Sequence, residues 1–186
     1  MHNCLENFNI VKNKVSKLIA EKQLKLDPNI IVVTKTFPLS QFLPIIECGH
    51  THYGENKIQE AEKKWSGVKT IYKQIKLHMI GPLQSNKAKK AVQIFDYIHS
   101  LDNEKLANKI STSEKELNKK LKIFIQVNIA DEDQKSGIKL SELEYFYKYC
   151  TQKLSLNIIG LMCLPPISSN PNKYFKLLKD SSEKLN

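Results

Sequence analysis

Residues 30–38 read IIVVTKTFP. The stretch 30–34 is apolar or β-branched throughout with no polar alternation, the pattern of a short strand covered on both faces, as in a parallel sheet. The run breaks at Lys35, and Pro38 with Ser40 then opens a helix carrying Phe42, Leu43, Ile45 and Ile46. Pro44 is expected near the first turn of that helix, where a missing N–H does least damage. Upstream, Leu5, Phe8, Val11, Val15, Leu18 and Ile19 recur at spacings of three and four and predict an apolar stripe on an opening helix.

Downstream, strand and helix alternate. Strands are expected over 50–53, 77–80, 97–99, 121–129 and 156–162, the fifth of the six being the longest. The helices between them carry Ile58, Ala61 and Trp65, then Ala88, Ala91, Val92 and Phe95, then Leu106 and Ile110 behind a cap at Asp102. Leu143, Phe146, Cys150 and Leu154 mark the next helix, and Phe175 and Leu178 a last one from Pro171. Six strand-helix units without a Pro- or Gly-rich linker predict one domain, residues 1–186, built on a parallel sheet with helical crossovers. Eight such units close a β/α barrel of about 250 residues. Six leave two architectures open, a doubly wound sheet or a barrel lacking its last two units.

Composition narrows the function classes. The 186 residues are 41% hydrophobic and 26% charged, an ordinary globular balance, so neither a disulfide nor a structural metal is needed to complete the core. The net charge of +10 comes entirely from lysine, because the chain contains no arginine. Lysine is a hydrated point charge without the fork that reads base edges, so no specific nucleic-acid partner is expected. Cys4, Cys48, Cys150 and Cys163 form no Cys-x-x-Cys pair, and the first residues lack a secretory leader, which points to a cytoplasmic protein with reduced thiols. The longest apolar run, 158–166, holds Gly160 and two prolines and is too short to span a bilayer.

The loops after the strands carry the candidate chemistry, since in α/β folds they open onto one face. Lys35 leaves a buried strand, so its amine is expected in a partly desolvated mouth. A drop of three pKa units, about 4 kcal/mol, would leave it neutral near pH 7 and able to condense with an aldehyde. Gly81 and Lys87 mimic P-loop spacing, but Asn86 and Ala88 stand where that loop needs a glycine and a hydroxyl, so a nucleotide triphosphatase is not expected. Cys48, His50 and His52 would share one side of a strand, yet no fourth ligand lies nearby and no metal is expected. Asp131, Glu132 and Asp133 read as a solvated acidic turn beside Gly137, and the aromatics from Tyr145 to Tyr149 as packing on a crossover helix.

Taken together, VVTKTFP (32–38), GHTHYGENKIQEAEKKW (49–65), HMIGPLQSNK (78–87), IHSLDNEKLANKI (98–110), IQVNIADEDQKSGI (125–138) and GLMCLPP (160–166) closely resemble the pyridoxal phosphate homeostasis protein family. These small proteins are related to the barrel domain of alanine racemase. The resemblance implies a β/α barrel of the alanine racemase N-terminal type with about six of its eight units present. It also implies binding of pyridoxal 5'-phosphate (PLP), with Lys35 at the Schiff-base position and Asn56, His78 and Met162 lining the cofactor pocket. The family is regarded as noncatalytic: monomers that buffer the reactive aldehyde or deliver it to PLP-dependent apoenzymes.

Two further strand-helix units, carrying the loops that hold the phosphate, would be expected after residue 186. A chain shortened there would keep the covalent anchor and lack the anion site, with sheet edges open to self-association. The same resemblance allows two rival functions. A racemase would need a second acid-base group on the opposite face of the cofactor, and a remnant without cofactor would survive only as an interaction module.

Overall fold

The computed structural model describes residues 4–25, 28–132, 134–167 and 169–185. Six strands, β1 (Val32–Val33), β2 (His52–Glu55), β3 (Lys76–Met79), β4 (Tyr97–Leu101), β5 (Lys122–Gln126) and β6 (Ile158–Met162), pair in chain order, and every pairing is parallel. Among the described residues seven α-helices accompany them: α1 (Cys4–Glu21), α2 (Leu39–Glu47), α3 (Ile58–Ile71), α4 (Ala88–Ile94), α5 (Glu104–Glu116), α6 (Leu143–Lys148) and α7 (Pro171–Glu183). Sequential order with a helix at each crossover is the arrangement of a β/α barrel wall. Among the described residues β1 and β6 do not pair, so the sheet stays open.

The core lies between the outer face of the sheet and the helices. Tyr53, Leu77, Ile98, Ile123 and Ile125 are fully buried from the strands, and Ala61, Trp65, Ala91, Val92, Leu106 and Ile110 meet them from α3, α4 and α5. The i, i+3, i+7 spacing of Ile58, Ala61 and Trp65 puts all three on the buried stripe of α3, as expected.

Several boundaries differ from the sequence expectation for identifiable reasons. The fifth strand ends at Gln126, no longer than β4 or β6, because Asn128 turns the chain into a loop of its own. Its side-chain amide donates to Glu132 O at 2.9 Å, and its Oδ1 accepts the Glu132 N–H at 3.1 Å. That loop returns at Gly137, which has φ +130° and lies so close to Asn128 that a Cβ would sit 2.4 Å from its backbone N. The cap of α5 is Asn103, one residue beyond the expected Asp102, because the helix starts at Glu104 and a cap must reach the N–H three residues on, here Leu106 at 2.9 Å. Pro44 stands in the second turn of α2 rather than the first. The stripe on α1 buries only Phe8. Val11 and Leu18 are about half exposed, since α1 packs mainly on α2 and leaves a cleft of about 330 Å³ against β1.

Trp65 anchors the helical layer: its ring lies 4.9 Å from Tyr53 and 5.4 Å from Phe42, and it is completely buried. Trp65→Ala is expected to cost about 3–5 kcal/mol, read as a lower midpoint in urea unfolding.

Candidate functional site

The site is built at the carboxyl ends of β1 and β2. Val33 pairs with Gly54, so Lys35 and Asn56 come at equivalent positions two residues further along adjacent strands. The backbone on both sides of Lys35 is held by side chains. Thr34 donates its N–H to Gly54 O at 3.0 Å and its hydroxyl to Glu55 Oε1 at 2.7 Å. The Lys64 ammonium, reaching up from α3, donates to Thr34 O at 2.6 Å, to Glu55 Oε1 at 2.8 Å and to Glu60 Oε1 at 3.0 Å. Glu60 Oε1 also accepts the Thr36 N–H at 2.5 Å. Burial opposes the charge on Glu60, but the hydrogen bonds from Lys64 and Thr36 outweigh it and hold its pKa below the usual carboxylate value.

Glu55 is fully buried, and Trp65 Nε1–H gives its Oε1 a third donor at 3.0 Å. Neither Glu60 nor Lys64 belonged to the site expected from sequence. The signal for them was present in the i, i+4 spacing of the pair, which puts both on one face of α3, but nothing local says that this face meets the β1 loop.

Lys35 itself is solvent-exposed, not partly desolvated as its strand context suggested. Asn56 is half-buried and its Oδ1 is a buried acceptor with no partner among the described residues. Gly81, at the end of β3, packs against it so tightly that a Cβ would lie 2.5 Å from Asn56 O. His78 pairs in register with Gly54 and lies inside β3 rather than at its mouth. Met162 ends β6, half-buried and paired with Gln126, with β4 and β5 between it and His78. Of the residues expected from sequence, Lys35 and Asn56 therefore follow the ends of β1 and β2 and His78 lies on the adjacent β3, while Met162 occupies the far strand.

A line of imidazoles crosses the inner face of the sheet. His52 Nδ1 lies 2.9 Å from His78 Nε2, and His78 Nδ1 lies 2.8 Å from His99 Nε2. Both ring nitrogens of His78 are thus engaged, so it offers a ligand only its ring face, and Tyr97 already stacks on it at 4.1 Å. Burial pushes His78 down to about 3, helped by its two histidine neighbours, and pushes His99 down to about 4. The expected alternation of Cys48, His50 and His52 fails, because β2 begins only at His52. Cys48 Sγ donates to Ile45 O, and the His50 ring bonds His52 O. Among the described residues no group of three His, Cys, Asp or Glu is placed to hold a metal. Asp131 is exposed and Glu132 pairs with Lys135, in keeping with a solvated turn, and Asp133 lies outside the described residues.

Residues 12–184 match the family model described as the alanine racemase N-terminal domain. A pyridoxal phosphate homeostasis protein of Haemophilus influenzae is 31% identical over 182 residues, covering 95% of this chain and 77% of that protein. The chain belongs to the pyridoxal phosphate homeostasis protein family. Within the family, PipY of Synechococcus elongatus PCC7942 has been solved without PLP and with PLP bound. The two forms superpose with TM-scores of 0.77 and 0.75 at 30% and 29% identity, covering 90% and 92% of this chain and 80% and 81% of PipY. An alanine racemase of Clostridium difficile 630 shares the fold at a TM-score of 0.75 and only 12% identity, with 99% of this chain covering 48% of that one. The family membership and these neighbours make the open six-stranded sheet the wall of an alanine-racemase-type barrel. The alternative of a doubly wound sheet falls, since that order would reverse where this one is sequential.

The buried imidazoles give this chain an acid limit. In the unfolded chain His78 and His99 take up protons near pH 6.5, whereas in the folded chain they stay neutral until about 3 and about 4. Their stabilising contribution is complete above pH 6.5 and is lost as the pH falls towards the folded values, by about 2 kcal/mol for each at pH 5. The urea midpoint should drop between pH 7 and 5, above the range of ordinary carboxylates, and His78→Gln should flatten that limb. An unchanged midpoint in the wild-type chain would contradict the assignment.

Proposed function

We propose that this chain binds pyridoxal 5'-phosphate through Lys35 and serves vitamin B6 homeostasis in the cytoplasm as a noncatalytic carrier, residues 1–186 acting as one domain. The observation that carries this reading is the fixed backbone around Lys35, clamped at Thr34 and Thr36 beside an Asn56 oxygen that has no partner among the described residues. A lysine whose backbone is held in place and an uncommitted buried acceptor at the end of the adjacent strand suit a small polar aldehyde. When bound, the cofactor supplies an aldehyde that a lysine amine takes up reversibly with loss of water.

In this reading Lys35 Nζ is the covalent anchor and Asn56 Oδ1 accepts a hydrogen bond from the ligand or its water. The exposure of Lys35 suits capture and release better than a sealed reaction chamber, as a carrier that hands PLP to apoenzymes would require. His78, with both nitrogens engaged, contributes a wall and not a proton donor. Met162 is assigned to the far wall of the same mouth. That PipY has been solved with PLP bound, at 29% identity over 92% of this chain, supports the ligand class.

A racemase shares the barrel and a lysine, but it must deliver protons to both faces of the substrate carbon. The likeness to alanine racemase extends to the fold alone, and assay for D-alanine formation is expected to stay at background. PLP added to the wild-type chain should produce the absorbance band of lysine-bound cofactor, and borohydride should fix it to the peptide holding Lys35. Lys35→Ala should lose both. Labelling spread evenly over other lysines would overturn the proposal.

A further inference from the structure

We infer that Glu60 and Lys64 are positioning residues for Lys35, acting as a side-chain clamp on the backbone to either side of it; this rests on the assignment of Lys35 as the anchor. Thr36 has φ +66°, a left-handed conformation that a β-branched residue adopts only when its surroundings impose it. The residue before Lys35 is pinned through its carbonyl, which accepts the Lys64 ammonium at 2.6 Å, and the residue after it through its N–H, which Glu60 Oε1 accepts at 2.5 Å. Lys64 and Glu60 are joined to each other at 3.0 Å. The Lys64 side chain is only 9% exposed and also bridges to fully buried Glu55, so the clamp is rooted in the core and not in a mobile surface pair.

Without the clamp, Thr36 would relax out of the left-handed region, and Lys35, one residue away, would lose its fixed origin. A flexible lysine side chain already carries considerable rotational freedom, so a fixed backbone origin limits the volume its amine explores at the end of β1. Within the loop that carries Lys35, Glu60 and Lys64 bond the backbone of Thr36 and Thr34, and their effect on the anchor passes through it.

The test compares the intact 186-residue chain with Glu60→Ala, Glu60→Gln and the pair Thr36→Gly with Glu60→Ala, each confirmed folded by its urea transition. Two readouts are taken: hydrogen exchange of the Thr36 amide without cofactor, and the rate at which PLP and borohydride label Lys35. Glu60→Ala should lose protection at Thr36 and slow labelling of Lys35 by about tenfold. Glu60→Gln, which keeps an oxygen facing the amide, should recover most of that loss. Thr36→Gly should restore part of the labelling in the Glu60→Ala background, because glycine populates the left-handed conformation without steric cost, and no recovery there would overturn the strain at Thr36 as the link. Unchanged Thr36 exchange in Glu60→Ala overturns the clamp. Lost protection with unchanged labelling of Lys35 overturns the positioning role and leaves the anchor standing. Labelling of the wild-type chain away from Lys35 overturns the anchor itself, and the positioning role with it.

Discussion

The buried carboxylate of Glu55 is the point from which the rest of the structure is organised. It is fully excluded from water, and its Oε1 collects a hydroxyl from the end of β1, an ammonium and an indole N–H from α3. A buried charge of this kind is tolerated only when it is paired, and stripping one partner from such a pair costs about 3–5 kcal/mol. The carboxylate therefore compels α3 to lie against the carboxyl ends of β1 and β2. Once α3 is there, its first turn brings Glu60 to the Thr36 amide, and the loop that carries Lys35 is tied to the helix on both sides of that residue.

The same constraint accounts for the short first strand. β1 has one neighbour among the described residues and only two residues in the ladder, Val32 and Val33. A strand so short is held less by its own sheet bonds than by the contacts of Thr34 and Thr36 beyond its end. Thr34 continues the register through its N–H to Gly54 O, and Lys64 takes the Thr34 carbonyl. Stability of the edge and placement of Lys35 come from the same side chains.

Much of the fold was legible because parallel strands covered on both faces leave uninterrupted apolar runs, and because helix stripes such as Ile58, Ala61 and Trp65 keep their period. The features that escaped depend on contacts distant in sequence or on local folding that no periodicity declares. The stop at Gln126 is dictated by Asn128 folding onto Glu132, and the exposure of the α1 stripe by how little of the sheet lies beneath it. At the site, Lys35 and Asn56 could be named from the resemblance, and register put them side by side. The line from His52 through His78 to His99 could not be seen, since it joins three strands whose register the sequence does not declare. The Lys64 and Glu60 clamp was hidden in the same way: a lysine and a glutamate four apart on a helix usually mean a solvated pair.

Where the cofactor becomes attached is the decisive question. A crystal structure of the chain grown with pyridoxal 5'-phosphate tests this most directly. Continuous electron density from Lys35 Nζ to the cofactor, beside Asn56 at the carboxyl ends of β1 and β2, is the expected result. Density joined to a different lysine, or cofactor seated away from that end of the sheet, would contradict it.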